Sequence, residues 1–228
     1  MKNIFLVDAD DTVLDFHGVS DEALRYDFQE SGIAWEDRFA SEFRIVNAGF
    51  WAALERKELT RSELMEQRFP AFLRHLGIGV DGAKFNQIFV NYLANHPRYL
   101  QGAEEFLAQL RQIGRVYIVT NGTEWIQRSR FALCKLWEKV DNAFISDAIG
   151  HDKPSKEYTD YVISHISDFQ IEKAVWIGDS LSADIQGANR AGITSIWYNP
   201  DRKLNNGQVC PNYMAESYKQ ILDILHKI

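Results

Sequence analysis

The sequence predicts an α/β protein in which a mostly parallel sheet, flanked by helices, is interrupted by an inserted all-helical domain. Three observations carry this. From Ala103 onward, short apolar runs alternate with helical patterns, as in successive βαβ units. A further apolar run, Asn3–Val7, stands alone near the N-terminus. Between that run and Val116 lies far more chain than a βαβ crossover uses, and residues 20–95 carry no strand signal. The expected division is a sheet domain of residues 1–16 and 96–228 and a helical insertion of residues 17–95.

Each element has its own reason. Asn3–Val7 is apolar throughout and stops at acids, so it reads as a buried strand. In the insertion, helical spacing predicts helices over Asp21–Glu30, Trp35–Lys57, Ser62–Leu76 and Ala83–Asn95. Thr60-Arg61-Ser62-Glu63 has the form of a capping box, in which hydroxyl and carboxylate satisfy free N–H groups at a helix start. Pro70 is expected to kink or break the third of these helices. After His96-Pro97, helices are expected over Ala103–Gln112, Thr123–Leu136, Ser155–Ser167, Ala183–Ala191 and Glu216–His226. Strands are expected over Val116–Val119, Ala143–Ile145, Ala174–Ile177 and Ile193–Trp197, which completes a Rossmann-like sheet.

Composition narrows the function. The chain has 228 residues, 46% hydrophobic and 25% charged, enough for a sizeable core and too apolar for disorder. A net charge of −7 lacks the basic footprint of a protein that binds nucleic-acid polymers. No apolar run approaches the roughly 18 residues of a membrane span, and the N-terminal run is too short for a signal peptide. A cytoplasmic location is expected, with Cys134 and Cys210 as free thiols.

The chemistry gathers where strands end. Asn3–Val7 is followed by Asp8-Ala9-Asp10-Asp11-Thr12, and Val116–Val119 by Thr120-Asn121-Gly122. Ala143–Ile145 leads to Gly150-His151-Asp152-Lys153-Pro154. Ala174–Ile177 ends at Gly178-Asp179-Ser180, with Asp184 close behind. In an open parallel sheet these loops share one edge, where ligands bind. Acids clustered there repel one another and are tolerated mainly when a cation joins them.

In that order and at those strand ends, the four motifs resemble the signature of the haloacid-dehalogenase-like (HAD) hydrolase superfamily, over essentially the whole chain. The resemblance implies that Asp8 attacks phosphorus and becomes an aspartyl-phosphate. A carboxylate and a doubly charged phosphate 4 Å apart repel by about 8 kcal/mol at an effective dielectric of 20, so cations must offset the approach. By resemblance, Mg²⁺ held by Asp8, Asp179 and the main-chain carbonyl of Asp10 does so, and Lys153 adds a further positive charge. Asp184 is expected on the metal or on Lys153, while Thr120, Asn121 and Gly122 bind phosphate oxygens. Asp10 fits the acid/base role that phosphoryl transfer needs and that the family's dehalogenases do not fill. Asp11 sits where the family often has Gly and reads as a turn residue.

The insertion corresponds to the family's helical cap, which selects the group carrying the phosphate. Its aromatics recur at helical spacing and are expected to be mostly core. Asn47-Ala48-Gly49-Phe50-Trp51, Glu58-Leu59-Thr60 and Arg68-Phe69 resemble the cap of the pyrimidine 5′-nucleotidase branch, as do Gln127 and Arg130 after Thr120-Asn121-Gly122. The implied substrate is a small phosphate ester, a nucleoside 5′-monophosphate with pyrimidines favoured. Trp51 would stack on the base, and Asn47 and Arg68 would contact base, sugar or phosphate. A phosphoglycolate or sugar-phosphate phosphatase or mutase on the same scaffold, and a phospho-aspartate signalling module, stay open alternatives. The oligomeric state, monomer or homodimer, also stays open.

Overall fold

The computed structural model describes residues 2–205 and 207–228. The chain divides into two compact units, Met1–Asp15 with Arg98–Ile228 and Phe16–Pro97. Where the chain crosses between them, Asp15 N–H donates to the Arg98 carbonyl (2.9 Å) and Arg98 Nη2 donates to Asp15 Oδ2 (2.7 Å).

The first unit is built on six parallel strands: β1 (Ile4–Val7), β2 (Arg115–Thr120), β3 (Asn142–Ile145), β4 (Ala174–Gly178), β5 (Thr194–Tyr198) and β6 (Tyr213–Ala215), in the order β3-β2-β1-β4-β5-β6. Strand β1 is buried on both faces, which is why its sequence is an unbroken apolar run rather than an alternating one. Phe5 and Val7 face one apolar layer with Phe106, Leu110 and Ile221, while Ile4 and Leu6 face the other with Tyr158, Val162 and Trp176. The chain leaves β1 for β2 and β3 on one side and for β4 to β6 on the other. The point where strand order reverses, between β1 and β4, is where such sheets hold ligands.

The second unit is four helices: α1 (Phe16–Glu30), α2 (Arg38–Glu55), α3 (Arg61–His75) and α4 (Gly82–Asn95). Helix α1 packs on α4, and α3 packs on both α2 and α4. Phe28, Phe39, Phe43, Phe69, Phe72, Phe85 and Phe89 are all buried and interlock, with ring centroids 4.5–6.3 Å apart. The capping box forms as expected: Thr60 Oγ1 accepts from Glu63 N–H and Glu63 Oε2 accepts from Thr60 N–H.

Several elements depart from expectation, the short helix Ser146–Ile149 among them. Helix α3 runs through Pro70 without interruption. An internal proline costs about 3 kcal/mol, but Phe69, Phe72 and Leu73 around it are buried, and each contributes about 2 kcal/mol only if the helix continues. Helix α1 begins at Phe16 rather than Asp21, the early turn having been obscured by Gly18. Strand β6 was not expected; it is three residues on a sheet edge, too short to show a period. The expected helix over Ala183–Ala191 begins instead with a π-type turn, Leu181–Ile185.

The remaining helices of the first unit are α5 (Ala103–Ile113), α6 (Glu124–Leu133), α7 (Ser146–Ile149), α8 (Lys156–Ser164), α9 (Gln186–Ala191) and α10 (Tyr218–Leu225). No described helix is long and apolar enough to cross a membrane, and both cysteines are free thiols.

Candidate active site

Four loops at the carboxyl ends of β1, β2 and β4 and ahead of α8 converge. Asp8 directly follows β1, and its N–H extends the ladder to the Ile177 carbonyl (2.9 Å). Asp11 adopts a left-handed conformation (φ 57°), so the turn after Asp10 needs a residue that tolerates positive φ. That accounts for an Asp at a place the resemblance associates with Gly.

Lys153 is the centre of the cluster. It is 2% exposed, and its ammonium donates to Asp8 Oδ1 (2.6 Å), Asp184 Oδ1 (2.7 Å) and the Val119 carbonyl (2.9 Å), which uses all three of its protons. Asp184 also accepts from Trp176 Nε1 (3.2 Å) and Ser180 N–H (3.2 Å). The π-type turn brings Asp184 back against β4. A Cβ on Gly178 would lie 2.3 Å from the Asp184 carboxyl carbon, so only glycine fits there. Asp179 is anchored through its main chain, whose carbonyl accepts from Trp197 Nε1 (2.8 Å).

Oxygens of Asp8, Asp179 and Asp184 lie within 4.8 Å of one another. Three carboxylates against one lysine leave an excess of negative charge, which joins burial in raising the carboxyl groups. Burial pushes the Asp8 carboxyl well above its ordinary value; Lys153 opposes this, while Asp184, Asp179 and Asp10 reinforce it. Burial, then Asp184 and Asp11, push Asp179 up to about 7, against Lys203 and Lys153. Burial by itself would lower Lys153, but Asp184 and Asp8 outweigh it and hold the ammonium above its ordinary range. An all-oxygen, acid-rich donor set with raised carboxyl groups suits a hard divalent cation such as Mg²⁺.

A second network borders the first. Asp10 Oδ1 accepts from Arg130 Nη1 (2.6 Å) and Oδ2 from Gln127 Nε2 (2.8 Å). Gln127 Nε2 also donates to Thr120 Oγ1 (2.9 Å), and Gln127 Oε1 accepts from Arg130 Nη1 (2.7 Å). The Asp10 carboxylate is thus turned to α6, outside the three-carboxylate group; the contribution to a metal expected of Asp10 is that of its main-chain carbonyl. A Cβ on Gly122 would meet the Gln127 side chain at 2.4 Å, so the glycine makes room for the network. The Asn121 side chain fixes the loop that carries the lysine: its amide donates to the Lys153 carbonyl (2.9 Å) and accepts from Lys153 N–H (2.8 Å).

The candidates in the helical unit form their own group. Arg68 is 3% exposed; it donates to Asn47 Oδ1 (3.0 Å) and Asn86 Oδ1 (3.0 Å), and its carbon lies 5.0–5.7 Å from the ring centres of Phe43, Phe69 and Phe89. Its Nε is buried without a partner, and burial pulls the guanidinium down to about 9. Trp51 is half-buried, one turn beyond Asn47 on α2, with Arg61 5.5 Å over its ring.

Sequence reasoning gave no role to Asn86, Trp176 or Trp197. Nothing in their spacing marks them, because each acts through a tertiary contact. Gln127 and Arg130 had a signal: they share a face at i, i+3 on the helix that follows Thr120.

Residues 2–192 match the family described as haloacid dehalogenase-like hydrolase. The pyrimidine 5′-nucleotidase PynA of Streptococcus pneumoniae is 37% identical over 97% of this chain and 94% of its own. The HAD-hydrolase YfnB of Bacillus subtilis is 35% identical over 97% and 94%. A crystal structure of YfnB bound to magnesium, described as revealing interdomain movement, superposes with a TM-score of 0.92 over 98% of both chains. The pyrimidine 5′-nucleotidase YjjG of Escherichia coli is 25% identical over 96% of each chain. This chain belongs to the haloacid dehalogenase-like hydrolases.

Proposed function

We propose that this chain is a Mg²⁺-dependent phosphatase that hydrolyses nucleoside 5′-monophosphates, pyrimidine ones favoured, through a phosphorylated Asp8. The observation that carries the chemical part is the ligation of Lys153 by Asp8 and Asp184 beside Asp179, at the reversal point of the sheet. The substrate part is supported by the two pyrimidine 5′-nucleotidases among the relatives and by the Asn47–Arg68 pair of the helical unit.

Asp8, Asp179 and the Asp10 carbonyl would hold the Mg²⁺, which supplies the positive charge that lets a carboxylate approach a phosphate. Lys153 aims the Asp8 carboxyl and opposes the protonation that burial favours. An Asp8 oxygen bonds to phosphorus as the ester P–O bond breaks; the electron pair leaves on the ester oxygen, which takes the Asp10 proton. Water then attacks the same phosphorus, gives a proton back to Asp10 and releases the Asp8 carboxylate with inorganic phosphate. Thr120 and the Asn121 N–H hold the phosphate oxygens, with the Gly122 N–H engaged by Thr120 Oγ1. In the helical unit, Trp51 and Asn47 are the candidates to contact base and sugar, and Arg68 holds the Asn47 amide.

The test is a steady-state panel of UMP, dUMP, dTMP, phosphoglycolate and hexose phosphates, each with Mg²⁺ and with a chelator. The expected result is the highest kcat/KM on a pyrimidine nucleotide, lost on chelation. A preference for phosphoglycolate or a hexose phosphate would overturn the substrate assignment, and turnover in chelator would overturn the metal's part.

A further inference from the structure

The four-residue network on α6 sets a direction for its hydrogen bonds. Arg130 is 2% exposed, and its Nε and Nη2 are buried without partners, so these donors cannot reach a substrate. Its Nη1 reaches two acceptors, Asp10 Oδ1 (2.6 Å) and Gln127 Oε1 (2.7 Å). A guanidinium only donates, so Gln127 must turn its oxygen to Arg130 and its NH₂ the other way. That NH₂ donates to Asp10 Oδ2 (2.8 Å) and Thr120 Oγ1 (2.9 Å). Thr120 Oγ1 also accepts from Gly122 N–H (3.2 Å). A hydroxyl oxygen has two acceptor positions, and both are now taken, so the one thing Thr120 still offers is its proton.

From this we infer that Gln127 and Arg130 are positioning residues that impose polarity on the site. Arg130 orients the Gln127 amide. The amide then holds the Asp10 carboxyl in a fixed rotamer and leaves the Thr120 hydroxyl as a donor, which is the form that binds a phosphate oxygen. The inference rests on the phosphatase reading above. It also gives the glycine at 122 a purpose: a Cβ there would lie 2.4 Å from the Gln127 amide and displace it from this arrangement.

Gln127→Glu tests it, because the change is nearly isosteric and replaces the donor by an acceptor. Two substrates are compared, a nucleoside 5′-monophosphate, whose alkoxide must be protonated to leave, and p-nitrophenyl phosphate, whose leaving group departs without a proton. The quantity read is kcat/KM, which covers the steps up to departure of the leaving group. The expected outcome is a loss at least about tenfold greater on the nucleotide, general-acid catalysis being worth roughly 10²–10⁴-fold. Inhibition by inorganic phosphate should also weaken, since in the variant Thr120 would donate to the introduced carboxylate rather than to phosphate. Equal losses on the two esters, or no loss, would overturn the inference. Gln127→Met, which removes the donor without adding charge, must show the same selectivity and serves if the glutamate variant does not fold. Failure of the wild type to hydrolyse either ester would instead overturn the phosphatase reading itself, and turnover that survives Asp8→Asn would overturn the Asp8 assignment.

Discussion

The two units handle buried charge in opposite ways. At the sheet edge every buried cation meets a carboxylate: Lys153 lies between Asp8 and Asp184, and Arg130 holds Asp10. In the helical unit Arg68 faces two neutral amides and three phenylalanine rings. There Asp27, fully buried on α1, has neither carboxyl oxygen in a hydrogen bond. Burial pushes Asp27 up to about 8. Lys153, paired with two carboxyl groups, is held above its ordinary range and stays charged where a charged substrate would bind. Charges buried among rings and amides reduce stability and act, if at all, by orienting neighbours.

Four substitutions would break or sharpen that contrast. The largest effect is expected of Asp8→Asn, which removes the nucleophile: turnover should fall by at least about a thousandfold, with circular dichroism unchanged. Retained activity would end the assignment.

Lys153→Met should come next, as a stability effect. It leaves the buried Asp8 and Asp184 without the shared ammonium. Removing one partner of a buried ion pair typically costs about 3–5 kcal/mol, measurable by urea unfolding. A change below about 1 kcal/mol would show that the carboxylates need no cation to be stable in the fold.

Asp27→Asn should change the pH dependence of stability. The folded-state pKa of about 8 lies above the unfolded value of about 4. The native state therefore keeps a proton that the unfolded chain releases, and stability is full below pH 4 and lost as pH rises through 8. The wild type should lose a few kcal/mol over that window from this group, each pKa unit being worth about 1.4 kcal/mol. The asparagine variant should show a flatter profile, and identical slopes would mean that Asp27 ionises freely.

The smallest effect is expected of Arg68→Met. It removes a desolvated charge that has no ionic partner, so stability should stay within about 1 kcal/mol. KM for a nucleotide should nevertheless rise if Arg68 orients Asn47. A loss as large as that of Lys153→Met would mean that the amide contacts stabilise the guanidinium as fully as carboxylates do.

Local signals made much of the fold legible. The apolar run of β1 reflects burial on both faces, and the Thr60–Glu63 box announces the start of α3. Such features are written in adjacent residues, so they survive without the rest of the chain. Elements governed by distant packing were not legible: α3 passes Pro70 because three buried side chains outweigh one missing N–H, and β6 exists because β5 offers an edge.

The site divides along the same line. Four strand-end motifs and their resemblance to the family signature grouped Asp8, Asp10, Thr120, Lys153, Asp179 and Asp184 as candidates, since residue type and order in a parallel sheet place them on one edge. Which of them touch was decided by tertiary structure alone. The approach of Asp184 to Lys153 depends on a π-type turn and on the missing Cβ of Gly178. Asn121 is committed to the Lys153 main chain, and Asp10 to Gln127 and Arg130. Hydrogen bonds and ion pairs depend on angstrom-scale distances between segments far apart in the chain, and no pattern within one segment encodes those distances.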